Sequence, residues 1–147
     1  MTTPPTLNFP PIQLRARRRG GQVEVWDPLR GLYLLLTPEE WVRQHLIHYL
    51  IAACGAQPLR IVQEYPVPLN GQEQRADVVV VDEACRPLLV AECKAPEVEI
   101  SQQTLAQVVR YNSVLGARYI VLTNGLRHDC YALVEGHYEP MTAFPRL

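Results

Sequence analysis

The sequence has no Cys-X-X-Cys pair. Its four cysteines, Cys54, Cys85, Cys93 and Cys130, are scattered, and none has a histidine at ligand spacing. That excludes a cysteine-based metal site and predicts reduced, mostly buried thiols in a cytoplasmic protein. An excess of either charge is also lacking. Fourteen Lys and Arg stand against fifteen Asp and Glu, for a net charge of -1. No global field therefore draws in nucleic acid, and any attraction for phosphate must come from local groups or a bound metal. No apolar stretch approaches a membrane span. The first 20 residues hold prolines and arginines where a signal peptide has its apolar core, so neither membrane helix nor leader is expected. No Gly-X-X-X-X-Gly-Lys is present, which leaves this chain without an ATP-driven motor of that type. There is no internal repeat and no interdomain linker. A hydrophobic content of 48% over 147 residues argues against disorder and predicts a single domain spanning 1–147 with a real core.

What the sequence does have is concentrated in residues 75–94, RADVVVVDEACRPLLVAECK. Two apolar runs, 78–81 and 88–91, carry acids at their ends. The polar connection between them, 82–87, reads as a hairpin loop. Asp77 opens the first strand, and Glu92 and Lys94 close the second. A hairpin of this length sets Asp77 beside Glu92, and alternation puts Glu92 and Lys94 on one face with Leu88 and Val90. Crowded carboxylates resist ionisation unless a cation joins them. Mg²⁺ is typically held by one or two carboxylates together with substrate phosphate oxygens. Lys94 falls within reach of the same phosphate or of an attacking water. The bland alternative is that Glu-X-Lys at a strand end is a solvated edge or a salt bridge.

This Asp…Glu-X-Lys constellation resembles the PD-(D/E)XK nuclease superfamily, with Asp77, Glu92 and Lys94 on its three signature positions. The proline of the motif is absent, and Ala76 stands before Asp77. Within the superfamily the sequence is similar to the nuclease module at the N-terminus of the restriction (R) subunit of type I restriction enzymes, above all in Glu92-Cys93-Lys94-Ala95-Pro96. The resemblance implies a restriction-endonuclease-like α-β-β-β-α-β core. It further implies Mg²⁺ (or Mn²⁺) on Asp77 and Glu92, with the Cys93 carbonyl as an extra ligand.

The chain in order fits that frame. Residues 1–11 hold four prolines and read as an extended arm, loose at its start. Alternation in 12–17 and again from Val23, around Arg18-Arg19-Gly20-Gly21, predicts an N-terminal hairpin, to which 32–36 adds a strand. Arg15, Arg17, Arg18 and Arg19 are candidate phosphate contacts, although a solvated hairpin tip is the favoured reading because no aromatic residue interleaves with them. Thr37-Pro38-Glu39-Glu40 is a helix start, with Thr37 as N-cap, Pro38 in the first turn and Glu40 completing a capping box. The helix is expected to reach Cys54, with Val42, Leu46, Tyr49, Leu50 and Ala53 as its apolar stripe. Glu39 falls on the edge of that stripe and reads as the inward acid. The resemblance makes it a further metal-site candidate, where the plain alternative is a helix-dipole acid. His45 and His48 read as ordinary polar residues.

A strand over 59–69, a turn at Asn70-Gly71, the two strands described, a helix over 102–115 between Ser101 and Gly116, and strands over 118–122 and 130–134 complete the core. The expected fold is thus α/β (α+β), a mixed central β-sheet with helices packed on it. An arm and hairpin (1–36) precede the core (37–134), and a weakly patterned tail (135–147) follows. The second helix shows Leu105, Val108, Val109, Asn112 and Leu115 as its stripe. Gln107 and Tyr111 lie four apart on one flank. They resemble the Gln-X-X-X-Tyr motif that follows Glu-X-Lys in the same modules, although such a pair is also common on a plain surface. The expectation is a metal-dependent hydrolase of nucleic-acid phosphodiesters, most readily DNA. Asp77, Glu92, Lys94 and Gln107 would be catalytic, and Gln107, Tyr111, Arg75, Arg15 and Arg17 would contact the strand. A homodimer or separate motor and specificity subunits would complete it. Two rivals stand beside this expectation: a non-catalytic nucleic-acid-binding or assembly module that keeps the fold, and a hydrolase of small phosphorylated molecules.

Overall fold

The computed structural model describes residues 4–147. Two sheets organise them. The first is a three-stranded antiparallel sheet of β1 (Ala16–Arg19), β2 (Gln22–Asp27) and β3 (Leu32–Leu35). Its first turn is made by Gly20 and Gly21, both with positive φ, which a two-residue hairpin requires. Strand β1 begins at Ala16, so the alternation from Ile12 to Arg15 is not a strand.

Helix α1 (Pro38–Ala52) then leads to a six-stranded sheet in the order β4 (Ile61–Leu69), β5 (Gln72–Val81), β6 (Pro87–Cys93), β7 (Tyr119–Thr123), β8 (His128–Val134), β9 (His137–Met141). Helix α2 (Gln102–Leu115) crosses over between β6 and β7, which are parallel; the other neighbours are antiparallel. This is the expected α-β-β-β-α-β order in a mixed sheet, and the fold is α+β.

Caps fix both helices. Thr37 Oγ1 accepts from the Glu40 amide at 3.0 Å and Ser101 Oγ from the Thr104 amide at 3.3 Å. Gly116 ends α2 in the left-handed conformation, φ 66°. The return half of the α1 capping box does not form, because the Thr37 amide donates to the Leu35 carbonyl. Helix α1 also stops two residues short of Cys54, with Ala53 as its C-cap.

Apolar residues from α1, Val78, Val80, Leu89, Ala91 and Val121 form one cluster; Val79, Val90, Ile120, Leu122, Val108 and Tyr111 form the other. The two helices therefore cover opposite faces of the central strands. On α2 the buried face runs through Thr104, Val108, Tyr111 and Asn112, while Val109 is exposed, so the expected stripe is rotated.

The chain ends depart most from expectation. Residues 1–3 of the arm lie outside the described residues. Beyond them the arm is packed: Leu7 is buried, the Asn8 amide donates to the Gly125 carbonyl at 2.7 Å, and Phe9 packs tilted against His128. Gly125 has a positive φ, and a Cβ there would lie 2.7 Å from Leu7 Cδ2, so the close approach of the arm requires glycine. The tail forms β9, an edge strand that tolerates Pro140. Phe144 packs on Tyr49, and the Leu147 amide donates to the Cys54 carbonyl at 2.7 Å.

Candidate active site

The site lies where two paired strands change face. Side chains two apart on a regular strand share a side. Ile61 of β4 nonetheless packs in the α1 cluster, whereas Tyr65 and Val67 pack in the α2 cluster. On the partner strand Val78 and Val80 join the first and Ala76 the second. The inversion falls between Gln63↔Val78 and Tyr65↔Ala76, at Glu64 on β4 and Asp77 on β5. Glu64 has φ 53°, a left-handed value uncommon outside glycine.

The next strand brings in the second acid. Val78 pairs with Ala91, and continuing that ladder by one residue puts Asp77 opposite Glu92. Asp77 Oδ2 accepts from the Cys93 amide at 2.7 Å, and Lys94 Nζ lies 3.8 Å from Glu92 Oε1. Glu92 is buried, and its Oε2 has no hydrogen-bond partner among the described residues. Burial, then the neighbouring Asp77 carboxylate, pushes the Glu92 carboxyl up to about 8, against the pull of Lys94. Burial also raises Asp77, although the Cys93 amide and Arg43 pull the other way. Two acids that share one site with a bare carboxylate oxygen form an oxygen-rich donor set, suited to a hard divalent cation.

Helix α1 supplies the next residues, with its acids exchanged from the expected phase. Glu39 is exposed and Glu40 is 4% exposed, so the inward acid is Glu40. Its partners explain the rotation. Glu40 Oε1 accepts from Arg43 Nη2 at 2.5 Å and Oε2 from Gln44 Nε2 at 2.9 Å, while Arg30 Nη2 is 3.5 Å from Oε1. Arg43 Nη1 donates to Glu64 Oε1 at 2.5 Å. Behind them, buried Asp27 accepts from Arg30 Nε and Gln63 Nε2, both at 2.8 Å. This network ties the small sheet to α1 and β4. Nothing in the alternation of β2 marked Asp27 in advance; the only cue was an aspartate ahead of Pro28. Thr37, Glu39, Glu40, Arg43, Glu64, Asp77, Glu92 and Cys93 line one cavity of about 270 Å³. Glu39 thus stands at its rim. Among the described residues no three His, Cys, Asp or Glu side chains converge as a ready metal cage.

The expected flank on α2 is present in altered form. Gln107 Nε2 donates to the Tyr111 hydroxyl at 2.7 Å, which donates to Gln74 Oε1 of β5 at 3.3 Å. Tyr111 is buried, so its ring serves the core, and its polar contacts run through the hydroxyl. Arg15 donates to the Tyr33 hydroxyl, Arg17 pairs with Glu24 over the Tyr33 ring, and Arg75 is an exposed side chain near Glu73. None of the three lines the acid cavity. His45 and His48 each bond a carbonyl one turn back on α1. Cys54, Cys93 and Cys130 are buried free thiols, and Cys85 is an exposed one.

Residues 38–145 match the family model described as Type I restriction enzyme R protein N terminus (HSDR_N). The chain belongs to this family. A solved fragment assigned as an HsdR subunit of a type I restriction enzyme from Vibrio vulnificus YJ016 has a similar fold. The TM-score is 0.56 at 21% identity, over 75% of this chain and 24% of that one. This R-subunit N-terminal chain therefore spans about a quarter of that fragment's length. No curated protein matches the sequence. Among the described residues, no helix is long and apolar enough to cross a membrane.

Proposed function

We propose that this R-subunit N-terminal chain is a metal-dependent nuclease of the PD-(D/E)XK type, hydrolysing nucleic-acid phosphodiesters, with DNA as the favoured substrate. The observation that carries the reading is the buried Glu92 carboxylate, one oxygen unpartnered, opposite Asp77 and two residues before Lys94. A buried polar oxygen without a partner is costly to a fold and makes sense where a ligand will complete it. The residues fit Mg²⁺ or Mn²⁺: Asp77, Glu92 and the Cys93 carbonyl are the oxygen donors that would hold it, with Glu39 at the rim. When bound, such an ion supplies a Lewis acid for the phosphate and a more acidic water.

The chain's own residues do the rest. The Cys93 amide holds Asp77 in its rotamer, so the donor is set before anything binds. Lys94 orients the water and offsets charge that builds on the phosphate oxygens. Gln107, held by the Tyr111 hydroxyl, positions the strand along α2. In the cell the domain would be cytoplasmic and would work with motor and specificity subunits, or with a second copy.

The test is cleavage of labelled single- and double-stranded DNA in Mg²⁺ and in Mn²⁺, alongside Asp77→Asn. Metal-dependent cleavage that the variant loses is the expected result. Ca²⁺-dependent binding without cleavage by the parent would favour the non-catalytic module.

A further inference from the structure

We infer that Arg43 is a phosphate-binding residue of this site, and that the Glu64 carboxylate occupies its outer nitrogen until a phosphodiester displaces it. The inference rests on the nuclease reading above and adds a residue to it.

The Arg43 guanidinium is held unequally on its two sides. On the inner side Nε and Nη2 form a fork on Glu40, at 3.3 and 2.5 Å. Glu40 is buried and is itself fixed by Gln44 Nε2 at 2.9 Å and by Arg30. That side does not depend on Glu64 and fixes the plane of the guanidinium. On the outer side, among the described residues, Nη1 meets only Glu64 Oε1, at 2.5 Å. The Glu64 side chain is 39% exposed, and no other group among the described residues bonds its carboxylate. An ion pair with one end in water is the weaker of the two.

The outer nitrogen faces the right place. Arg43 and Glu64 line the same cavity as Asp77, Glu92 and Cys93, and among the described residues Arg43 is the only cationic side chain in that lining. A guanidinium with one edge pre-fixed and one edge presented is suited to a phosphate oxygen. A carboxylate is the nearest chemical likeness to that oxygen among side chains. Glu64 also sits in a left-handed conformation opposite Asp77, at the point where both strands change face. Exchanging this carboxylate for phosphate would leave the Arg43–Glu40 fork intact, so the swap asks for movement of one exposed side chain.

The test is a binding cycle on the full 147-residue chain. A fluorescein-labelled duplex oligonucleotide is titrated in Ca²⁺, and anisotropy is read for the parent, Glu64→Gln, Arg43→Gln and the double variant. Glu64→Gln should tighten binding about three- to tenfold in the parent background and leave it unchanged in the Arg43→Gln background. The same gain in both backgrounds would mean that only a negative charge was removed, and it overturns the assignment, as does no gain at all. Arg43→Lys, which keeps the charge but not the fork, should bind at least threefold more weakly than the parent while melting as a folded protein. Binding equal to the parent's overturns the assignment even if Arg43→Gln fails to fold. Parallel cleavage in Mg²⁺ separates the two levels. A parent that cleaves with no coupling between Arg43 and Glu64 removes Arg43 alone, and a parent that neither binds nor cleaves removes both readings.

Discussion

Two groups of buried acids, Asp27 with Glu40 and Asp77 with Glu92, are treated in opposite ways. Asp27 and Glu40 are as buried as Glu92, yet their carboxylate oxygens are paired. Burial alone would raise Asp27, but the hydrogen bonds from Arg30 and Gln63 hold its carboxyl below the usual range. Glu92 has Lys94 at 3.8 Å, no partner for Oε2, and a carboxyl driven up to about 8. The first group is complete within the protein and joins the small sheet to the rest. The second is incomplete within the protein. The lesson is that burial of an acid says little until its partners are counted.

The comparison breaks most sharply on function. Asp77→Ala and Glu92→Ala should each lower metal-dependent cleavage by about a thousandfold or more, roughly 4 kcal/mol in the barrier, with melting curves still cooperative. A variant that cleaves like the parent would move the site elsewhere. Asp27→Ala and Glu40→Ala should do their damage to the fold, each by about 3 kcal/mol in a denaturant titration, because each takes a carboxylate partner from a half-buried arginine. A loss below about 1 kcal/mol would show that the network adds no more than a surface pair does.

The pH dependence of stability should differ in sign between the groups. Glu92 ionises at about 8 in the folded chain against an ordinary value of 4.5. Its contribution is whole below pH 4.5 and is lost as pH rises through about 8. Without divalent ions, stability should therefore fall across that window, and Glu92→Gln should flatten the fall by roughly 2 kcal/mol. Asp27 is depressed, so its contribution is present above pH 3.8 and is lost as pH falls below it; Asp27→Asn should remove that acid-side loss. Urea midpoints at intervals of pH, in EDTA, measure both. The smallest expected effect is at the rim, where Glu39→Ala should change stability by no more than about 0.5 kcal/mol. A larger loss in a thermal melt would mean that Glu39 is paired with the fold after all.

Much of this architecture was legible because it is local. Thr37 and Ser101 cap by their own geometry, Asn70-Gly71 and Gly20-Gly21 turn by their own φ, and the 82–87 connection makes β5 and β6 neighbours, with an unforeseen register shift between Val80 and Val81 then setting Asp77 against Glu92. What was not legible depends on distant partners. A helix stripe read from apolar residues has no place for Glu40, which points inward because Arg30 and Arg43 meet it there. Ile61, Tyr65 and Val67 have the same parity in sequence and look like one face; the left-handed backbone at Glu64 puts them on two. The prolines of the arm predicted an extended chain but not where it packs, since Leu7 against Gly125 is a contact across most of the chain's length. Strand β9 was hidden for a similar reason, because an edge strand needs only one neighbour and little hydrophobic pattern.

The bond from the Cys93 amide to Asp77 Oδ2 has one further consequence, for spectroscopy. That proton sits between a backbone nitrogen and an acid that can change its charge, so its chemical shift reports the acid's state. It should stand downfield while Asp77 is ionised and move upfield as the carboxylate is neutralised. A cation that takes electron density from the same oxygen should shift it again. One backbone resonance, native to the chain and free of any label at the site, would follow protons and metal in turn.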